Sequence, residues 1–444
     1  MPVPMQTINQ EMPGRSPMVD TAPKKKAFDI PKQLVWEAYQ KVRSNKGAAG
    51  VDGQSLDDFA RDEKNNLYKI WNRMSSGSYF PPPVRAVDIP KTGGGVRTLG
   101  VPTVTDRIAQ TVVAMVLEPG MEQVFHPDSY GYRPKRSALD AVAACQQRCW
   151  RYDWVLDLDI QAFFDTVPHE PIVKAVAHHT GLPWVLLYVR RWLTAPMQHP
   201  DGSLVARDRG TPQGSAISPL LANVFMHYAF DAWLRREQPQ IAFERYCDDV
   251  IVHCVSEKQA KFLRRIIADR LRRFGLTLHP EKTRIVHCWQ TGRPQAPDCH
   301  PVEFTFLGYT FRPRYARKND GGWFAGFLPA VSKAAMKSMS RVIRGWRLGR
   351  CTGLTFGGIA TMINQVVAGW INYYGHFYKS RLISFLQERI NPHLVRWAMR
   401  KFKHLHRSPA KARKRLARIA EQWPGLFVHW RHGALPSGVA TGAV

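Results

Sequence analysis

Phe243-Glu244-Arg245-Tyr246-Cys247-Asp248-Asp249-Val250-Ile251-Val252-His253 sets two strand-like runs on either side of an Asp-Asp pair. The pattern reads as a hairpin with acids at its tip, although aspartate also favours ordinary turns. Further back, Trp154-Val155-Leu156-Asp157-Leu158-Asp159-Ile160 is an apolar strand with carboxylates alternating through it. Side chains alternate across a strand, so Asp157 and Asp159 share one face. An edge strand with one solvated face would accommodate them equally well.

Taken together, the two stretches point to chemistry. Phosphoryl transfer to a 3′-hydroxyl needs two divalent cations about 3.5–4 Å apart, one activating the attacking oxygen and one bridging the triphosphate and leaving group. Hard cations take oxygen ligands, and carboxylates from neighbouring strands supply them. Without metal, acids packed that closely repel one another and take up protons.

The bulk of the chain fits a polyanionic partner. Its 63 Lys+Arg against 35 Asp+Glu give a formal net charge of +28, an excess that phosphates would neutralise. The 444 residues, 44% hydrophobic with 14 Trp and 21 Phe, predict several units with packed interiors. No apolar run approaches the ~20 residues of a membrane span. The first residues, through Lys24-Lys25-Lys26, lack the apolar core of a secretory signal. A cytoplasmic protein, nucleoid-associated when it acts on DNA, is the expectation. Seven cysteines, an odd number, are expected as reduced thiols in the core or on the surface. Cys145 with Cys149, and His287-Cys288 with Cys299-His300, lack the close cysteine pair of common zinc sites.

Residues 1–30 read as a flexible tail. A helical pattern runs from Pro31 to Arg73, and Val84 to Pro102 reads as a β-hairpin turning at Thr92-Gly93-Gly94-Gly95. Lys91 and Arg97 flank that turn and suit a triphosphate. From Asp106 to Phe311 mixed signals predict an α+β unit. Three helical segments follow, Val331 to Trp346, Ile359 to Tyr374 and Leu382 to His404, spaced as a bundle. Asn391 to Ala420 carries ten Lys/Arg and no acid, a phosphate-binding surface by composition. Arg396, Arg400, Lys401, Lys403, Arg407, Lys411, Arg413, Lys414 and Arg415 are its candidate nucleic-acid contacts.

These stretches resemble a known family. Asp159-Ile160-Gln161-Ala162-Phe163-Phe164-Asp165 resembles motif A of reverse transcriptases, and Tyr246-Cys247-Asp248-Asp249 their motif C. Between them, Gly210-Thr211-Pro212-Gln213-Gly214-Ser215-Ala216-Ile217-Ser218-Pro219-Leu220-Leu221-Ala222-Asn223 is similar to the corresponding motif of group II intron reverse transcriptases, or maturases. The likeness continues through Arg97–Pro102, Asp106–Gln110, Tyr130–Pro134, Leu278–Thr283, Phe306–Tyr309 and Gly369–Tyr374. Cys247 departs from the alanine usual in the family. The endonuclease domain with paired cysteines that some intron proteins carry has no counterpart before Val444, so target cleavage is not expected.

The resemblance implies a right-hand polymerase, with an α+β fingers and palm followed by an all-α thumb or maturase region. The implied division is 31–105 for an N-terminal extension and fingers, 106–315 for the catalytic core, 328–406 for the thumb, and 407–444 for a short basic segment. It further implies that Asp159, Asp248 and Asp249 ligate a pair of Mg²⁺ ions, with the Ile160 carbonyl assisting. Phe164 would exclude a 2′-hydroxyl, Lys91 and Arg97 would hold the triphosphate, Gln213 and Gly214 would line the nucleotide, and Lys282 would donate a proton to pyrophosphate. Asp157 and Asp165 would support the site. The implied partners are group II intron RNA, an RNA template, a DNA primer or target and dNTPs, and no membrane. Competing expectations are a domesticated relative serving repair or phage defence, a splicing cofactor with a vestigial polymerase, and an RNA-copying RNA polymerase, which Phe164 disfavours.

Overall fold

The structure is a computed structural model that describes residues 26–90, 95–294, 300–317 and 321–437. Lys91, Thr92 to Gly94, Cys299 and most of the N-terminal tail lie outside the described residues.

A four-stranded antiparallel sheet lies at the centre, in the order Phe243–Tyr246, Asp249–Cys254, Trp154–Leu158 and Arg284–His287. Both of its faces are covered, and alternation along each strand decides which residues meet which cover. Leu156, Leu158, Val250 and Val252 enter a helical core that includes Ile108, Val112, Phe225 and Leu263. Val155, Ile251 and Val286 point the other way, against Cys145, Phe304 and Phe327. The double covering is why these strands read as apolar runs, and it makes the carboxylates among them informative.

Val84–Pro90 and Val96–Val101 form the expected antiparallel hairpin. A three-stranded sheet of Phe304–Phe306, Tyr309–Arg317 and Trp323–Val331 covers the second face of the central sheet. Strand therefore continues to Val331, where the sequence reading starts the first helical segment, and the helix begins at Lys333. Helices follow at Lys333–Gly345, Phe356–Tyr374 and Lys379–Lys401, around a separate core that includes Ile363, Leu386 and the fully buried Trp397.

The chain after residue 406 is more ordered than its charge suggests. Ser408 caps a further helix, Pro409–Gln422, by accepting from the Lys411 N–H. Ala412, Leu416 and Ala420, four residues apart, face the bundle core while the Lys and Arg between them stay outside. The Asn391 side chain then pins the turn that follows. It accepts from His429 Nε2 and Trp430 Nε1, each at 3.0 Å, and donates to the Ala434 carbonyl. The run of positive charge conceals that apolar stripe in the sequence.

Candidate active site

Asp159 stands just past the end of its strand, where Leu158 pairs with Val250, the neighbour of Asp249. The acids from two distant parts of the chain therefore meet across one strand pair. The loop from Thr277 to Thr283 holds Asp159 by its backbone. Its carbonyl accepts from the His279 N–H at 2.8 Å, its N–H donates to Thr283 Oγ1 at 3.3 Å, and Gln161 N–H donates to the Thr277 carbonyl at 2.9 Å. Ile160 is buried and bridges to Leu278. The same loop brings Lys282 Nζ to 3.6 Å from Asp159 Oδ2.

Asp248 and Asp249 sit at the tip of the hairpin, as the strand pattern predicts. Tyr246 pairs with Asp249, which leaves Cys247 and Asp248 as a two-residue turn. Cys247 takes a positive φ of 60°, a strained conformation for any residue but glycine or asparagine. The surroundings impose it. Gly131 lies flat against the turn, and a Cβ there would meet Cys247 N at 2.6 Å. Arg245 grips it from beneath. This fully buried guanidinium donates to Asp231 at 2.7 and 2.6 Å, to the Cys247 carbonyl at 3.0 Å, to Asn223 Oδ1 at 2.9 Å and to Ser129 Oγ at 2.8 Å. A bidentate ion pair with no solvent contact fixes geometry at a high desolvation cost. Sequence reasoning missed this brace. An arginine inside an apolar strand signals a buried partner, but nothing in the sequence singles out Asp231.

Asp157, Asp159 and Asp249 line a cleft of about 310 Å³ with Glu281, Lys282, Arg284 and Thr305. Asp249 is exposed on one side, yet desolvation by the protein behind it, with Asp248 and Asp159 adding repulsion, raises its carboxyl to about 7. Burial likewise raises Asp157 to about 7, against the pull of Arg284 at 3.5 Å. Asp248 is raised too, chiefly by burial, with Arg97 opposing. Such crowding of hard oxygen donors fits a divalent cation. The oxygens of Asp159, Asp248 and Asp249 do not all lie within 4.8 Å of one another.

The other candidates divide by place. Phe164 and Gln213 share a neighbouring cleft of about 250 Å³ with Thr98, Asp165 and Thr211. Two glycines shape it. Gly210 has φ +78° and abuts the Phe164 carbonyl, 2.8 Å from where a Cβ would stand, while Gly214 has φ +110° beside the Gly100 carbonyl. Gly100 N–H donates to the Gln213 carbonyl at 2.8 Å, and Thr211 N–H to the Phe164 carbonyl at 2.7 Å, so three separate motifs are stitched into one wall. Behind that wall, buried Gln110 accepts from Ser215 Oγ at 2.7 Å and the Ala216 N–H at 2.9 Å, and donates to Asp106. Exposed Arg97 is near enough for its charge to act on Asp248 and Asp249.

The basic candidates lie in the helical region and line neither cleft. Arg396, Arg400, Lys403, Arg407, Lys411, Arg413, Lys414 and Arg415 are exposed. Two of the nine are tied to the fold. Lys401 Nζ donates to the Thr352 carbonyl at 2.8 Å, and the Arg415 guanidinium lies over the Phe402 ring at 4.7 Å.

A family model described as reverse transcriptase (RNA-dependent DNA polymerase) matches residues 89–311. One described as group II intron, maturase-specific domain, matches residues 336–416. Protein YkfC of Escherichia coli (strain K12) is 31% identical over 292 residues, covering 56% of this chain and 76% of that protein. Group II intron-encoded protein LtrA of Lactococcus lactis subsp. cremoris is 32% identical over 206 residues, covering 44% of this chain but 32% of LtrA. Telomerase from Candida albicans is similar in structure at a TM-score of 0.44 and 11% identity, over 88% of this chain and 69% of that one, a likeness too low to carry weight. Among the described residues no helix is long and apolar enough to cross a membrane.

Proposed function

This chain belongs to the group II intron-encoded reverse transcriptases and maturases, and from that premise we propose that its own RNA-directed DNA synthesis runs on Asp159, Asp248 and Asp249 with Mg²⁺. The single observation that supports this most is the pairing of Leu158 with Val250, which sets the two acidic segments side by side. The three carboxylates, with the Ile160 carbonyl, would hold two divalent ions once drawn in around them. Bound there, the ions would lower the pKa of a primer 3′-hydroxyl and offset charge on the departing pyrophosphate.

The remaining residues position and select. Arg97, with Lys91, would hold the triphosphate, the guanidinium offering bidentate contacts that an ammonium cannot. Phe164, set in the wall beside Asp165 and Gln213, would close the space a ribose 2′-hydroxyl needs. Gln213 and the exposed backbone at Gly214 would line the incoming nucleotide. Lys282, 3.6 Å from Asp159, would give its proton to the pyrophosphate oxygen as the P–O bond breaks. The helical region, with its basic face, would bind the parent intron RNA by phosphate and 2′-hydroxyl contacts and favour its splicing-competent fold. Intron mobility would follow from both activities acting on one ribonucleoprotein.

Primer extension tests the reading. The full chain with an RNA template, an annealed DNA primer, dNTPs and Mg²⁺ is expected to make cDNA, and to stop when EDTA is added. A folded chain that binds the template yet extends no primer with either Mg²⁺ or Mn²⁺ would refute it.

A further inference from the structure

The three-stranded sheet buries Phe304, Phe306, Phe311 and Phe327 against the central sheet, so alternation turns Thr310, Arg312 and Arg314 to its other face. Thr305 pairs with Thr310 on that face, their hydroxyls 3.2 Å apart. The face opens on a cavity of about 250 Å³, several times the ~30 Å³ share of one water. Two helices of the helical region reach the same cavity, one through Lys333 and the other through Arg381. Four cations therefore line it against one acid, Glu303.

These charges are poorly matched within the protein. Glu303 reaches Arg312 at 3.9 Å, and Arg312 Nε is buried with no hydrogen-bond partner. The side chains of Lys333 and Arg381 make no hydrogen bond or ion pair among the described residues. Arg314 is 8% exposed and held in place, donating from Nε to the Leu328 carbonyl and from Nη2 to the Thr310 carbonyl, each at 3.1 Å. Its Nη1 is left with no protein acceptor among the described residues. Lys333 opens the helix Lys333–Gly345, whose first turn holds no acid. A cation there opposes the helix dipole, and the first-turn N–H groups of Lys333 and Ala334 have no acceptor within the helix. A buried guanidinium, free N–H groups and unmatched positive charge around one cavity make a seat for an oxyanion.

We propose that this cavity is a phosphate site that takes one backbone phosphodiester of the primer strand, held by Arg312 and Arg314 on the sheet and by Lys333 and Arg381 on the helices. Naming the strand rests on the proposed DNA synthesis, whereas the choice of an oxyanion does not. Thr305 lines both this cavity and the cleft of Asp159 and Asp249, so a strand whose 3′ end lies at the carboxylates would pass the site a short way upstream. Arg312, Arg314 and Lys333 fall between the stretches that the two family models match, 89–311 and 336–416, so neither match covers them. Without an anion, like charges on the sheet and on the helices face one another. A phosphate between them reverses that repulsion, so primer binding would also fasten the helical region to the sheet.

The test binds the full chain, in EDTA and without dNTPs, to an RNA template annealed to a labelled DNA primer, read by fluorescence anisotropy. A neutral methylphosphonate is walked through the primer one linkage at a time. One linkage near the 3′ end is expected to weaken wild-type binding roughly tenfold, the scale of one charge-assisted contact. Lys333→Gln with Arg381→Gln, both on exposed side chains, should lose most of that response. The same pair should reduce the slope of log K against log[salt] by about 1 rather than about 2, because two cations share one phosphate. Asp248→Asn with Asp249→Asn should keep the linkage response while losing primer extension, so failure of the catalytic reading shows in extension and failure of this one in the walk. If inorganic phosphate raises the Tm of the wild type but not of the pair, while no linkage stands out, the site takes a free anion and the primer assignment falls. A uniform walk in the wild type overturns the proposal even if the variants fail to fold. So does the full penalty at the same linkage in folded Lys333→Gln with Arg381→Gln.

Discussion

The central sheet and the helical region, both assigned to nucleic acid in the proposed function, deploy charge in opposite ways. In the sheet a few acids are crowded at one strand pair, Asp159 held through its backbone and Asp248 and Asp249 by the turn that Arg245 grips, so their positions are fixed. In the helical region a larger number of basic side chains stand in solvent on two helices and the link between them, and among the nine candidates Lys401 and Arg415 make contacts that tie them to the fold. Catalysis demands atoms placed within a fraction of an ångström. Holding a polyanion demands only summed charge, to which many residues contribute a little. One region should therefore fail on a single change and the other should weaken by degrees.

The sharpest way to break that contrast is Asp248→Asn with Asp249→Asn. Loss of primer extension by on the order of 10³-fold or more is expected, with RNA affinity in a filter-binding assay unchanged within about threefold. Equal loss of both in a folded protein would mean that the two regions do not divide the work. Next comes the brace. Asp231→Ala strands the Arg245 guanidinium, which is wholly buried, and should cost about 3–5 kcal/mol in denaturant unfolding. Lys403→Ala, on an exposed side chain, should stay within about 0.5 kcal/mol. A smaller effect is expected from Phe164→Val. Discrimination against ribonucleotides should fall roughly 10–200-fold, the range of a pocket's steric selectivity, measured as the ratio of kcat/KM for dNTP and NTP.

The legibility of the sequence follows the same contrast. Alternation at Asp157 and Asp159 and the Asp-Asp pair at 248–249 reveal the hairpin and its neighbour, because a strand has period two and an acid on a buried face has few explanations. The bundle is legible from apolar spacing at Ile363, Leu386 and Leu394. The Arg245–Asp231 pair is not, because its members lie 14 residues apart on a strand and a helix with no shared periodicity. Nor is the meeting of Cys145, Glu244 and His253, whose side-chain donor atoms come within 4.8 Å of one another from three elements. The helix Pro409–Gln422 hides for another reason. Composition registers its many cations, and only the spacing of Ala412, Leu416 and Ala420 shows that they ride on a packed helix.

The carboxylates also make a pH prediction. Asp157 and Asp249 are raised from the usual carboxylate range to about 7. A raised carboxyl binds its proton more tightly when folded than when unfolded, so without divalent metal its contribution to stability is fullest below about pH 4 and declines as pH rises towards 7. Divalent cations bind only the ionised form and must oppose that decline. The rise in Tm on adding Mg²⁺ should therefore grow from pH 5 to pH 7.5, and the growth should vanish in Asp248→Asn with Asp249→Asn.

The smallest effects belong to the basic surface, and they test the other half of the contrast. Arg413 is exposed on its helix and lines, with Arg396 and Asn391, a cavity of about 580 Å³ in the helical region. If it meets a phosphate, Arg413→Ala should weaken RNA binding only a few-fold near physiological salt and reduce the slope of log K against log[salt] by about 1. Charge that acts by sum predicts that Lys411→Ala and Lys414→Ala behave alike and that the triple variant reduces the slope by about 3. An arginine that instead reads a particular RNA feature would show a larger loss that salt does not modulate. Measuring the slope separates these where affinity alone does not, because counterion release depends on how many phosphates are neutralised and not on which side chain does it.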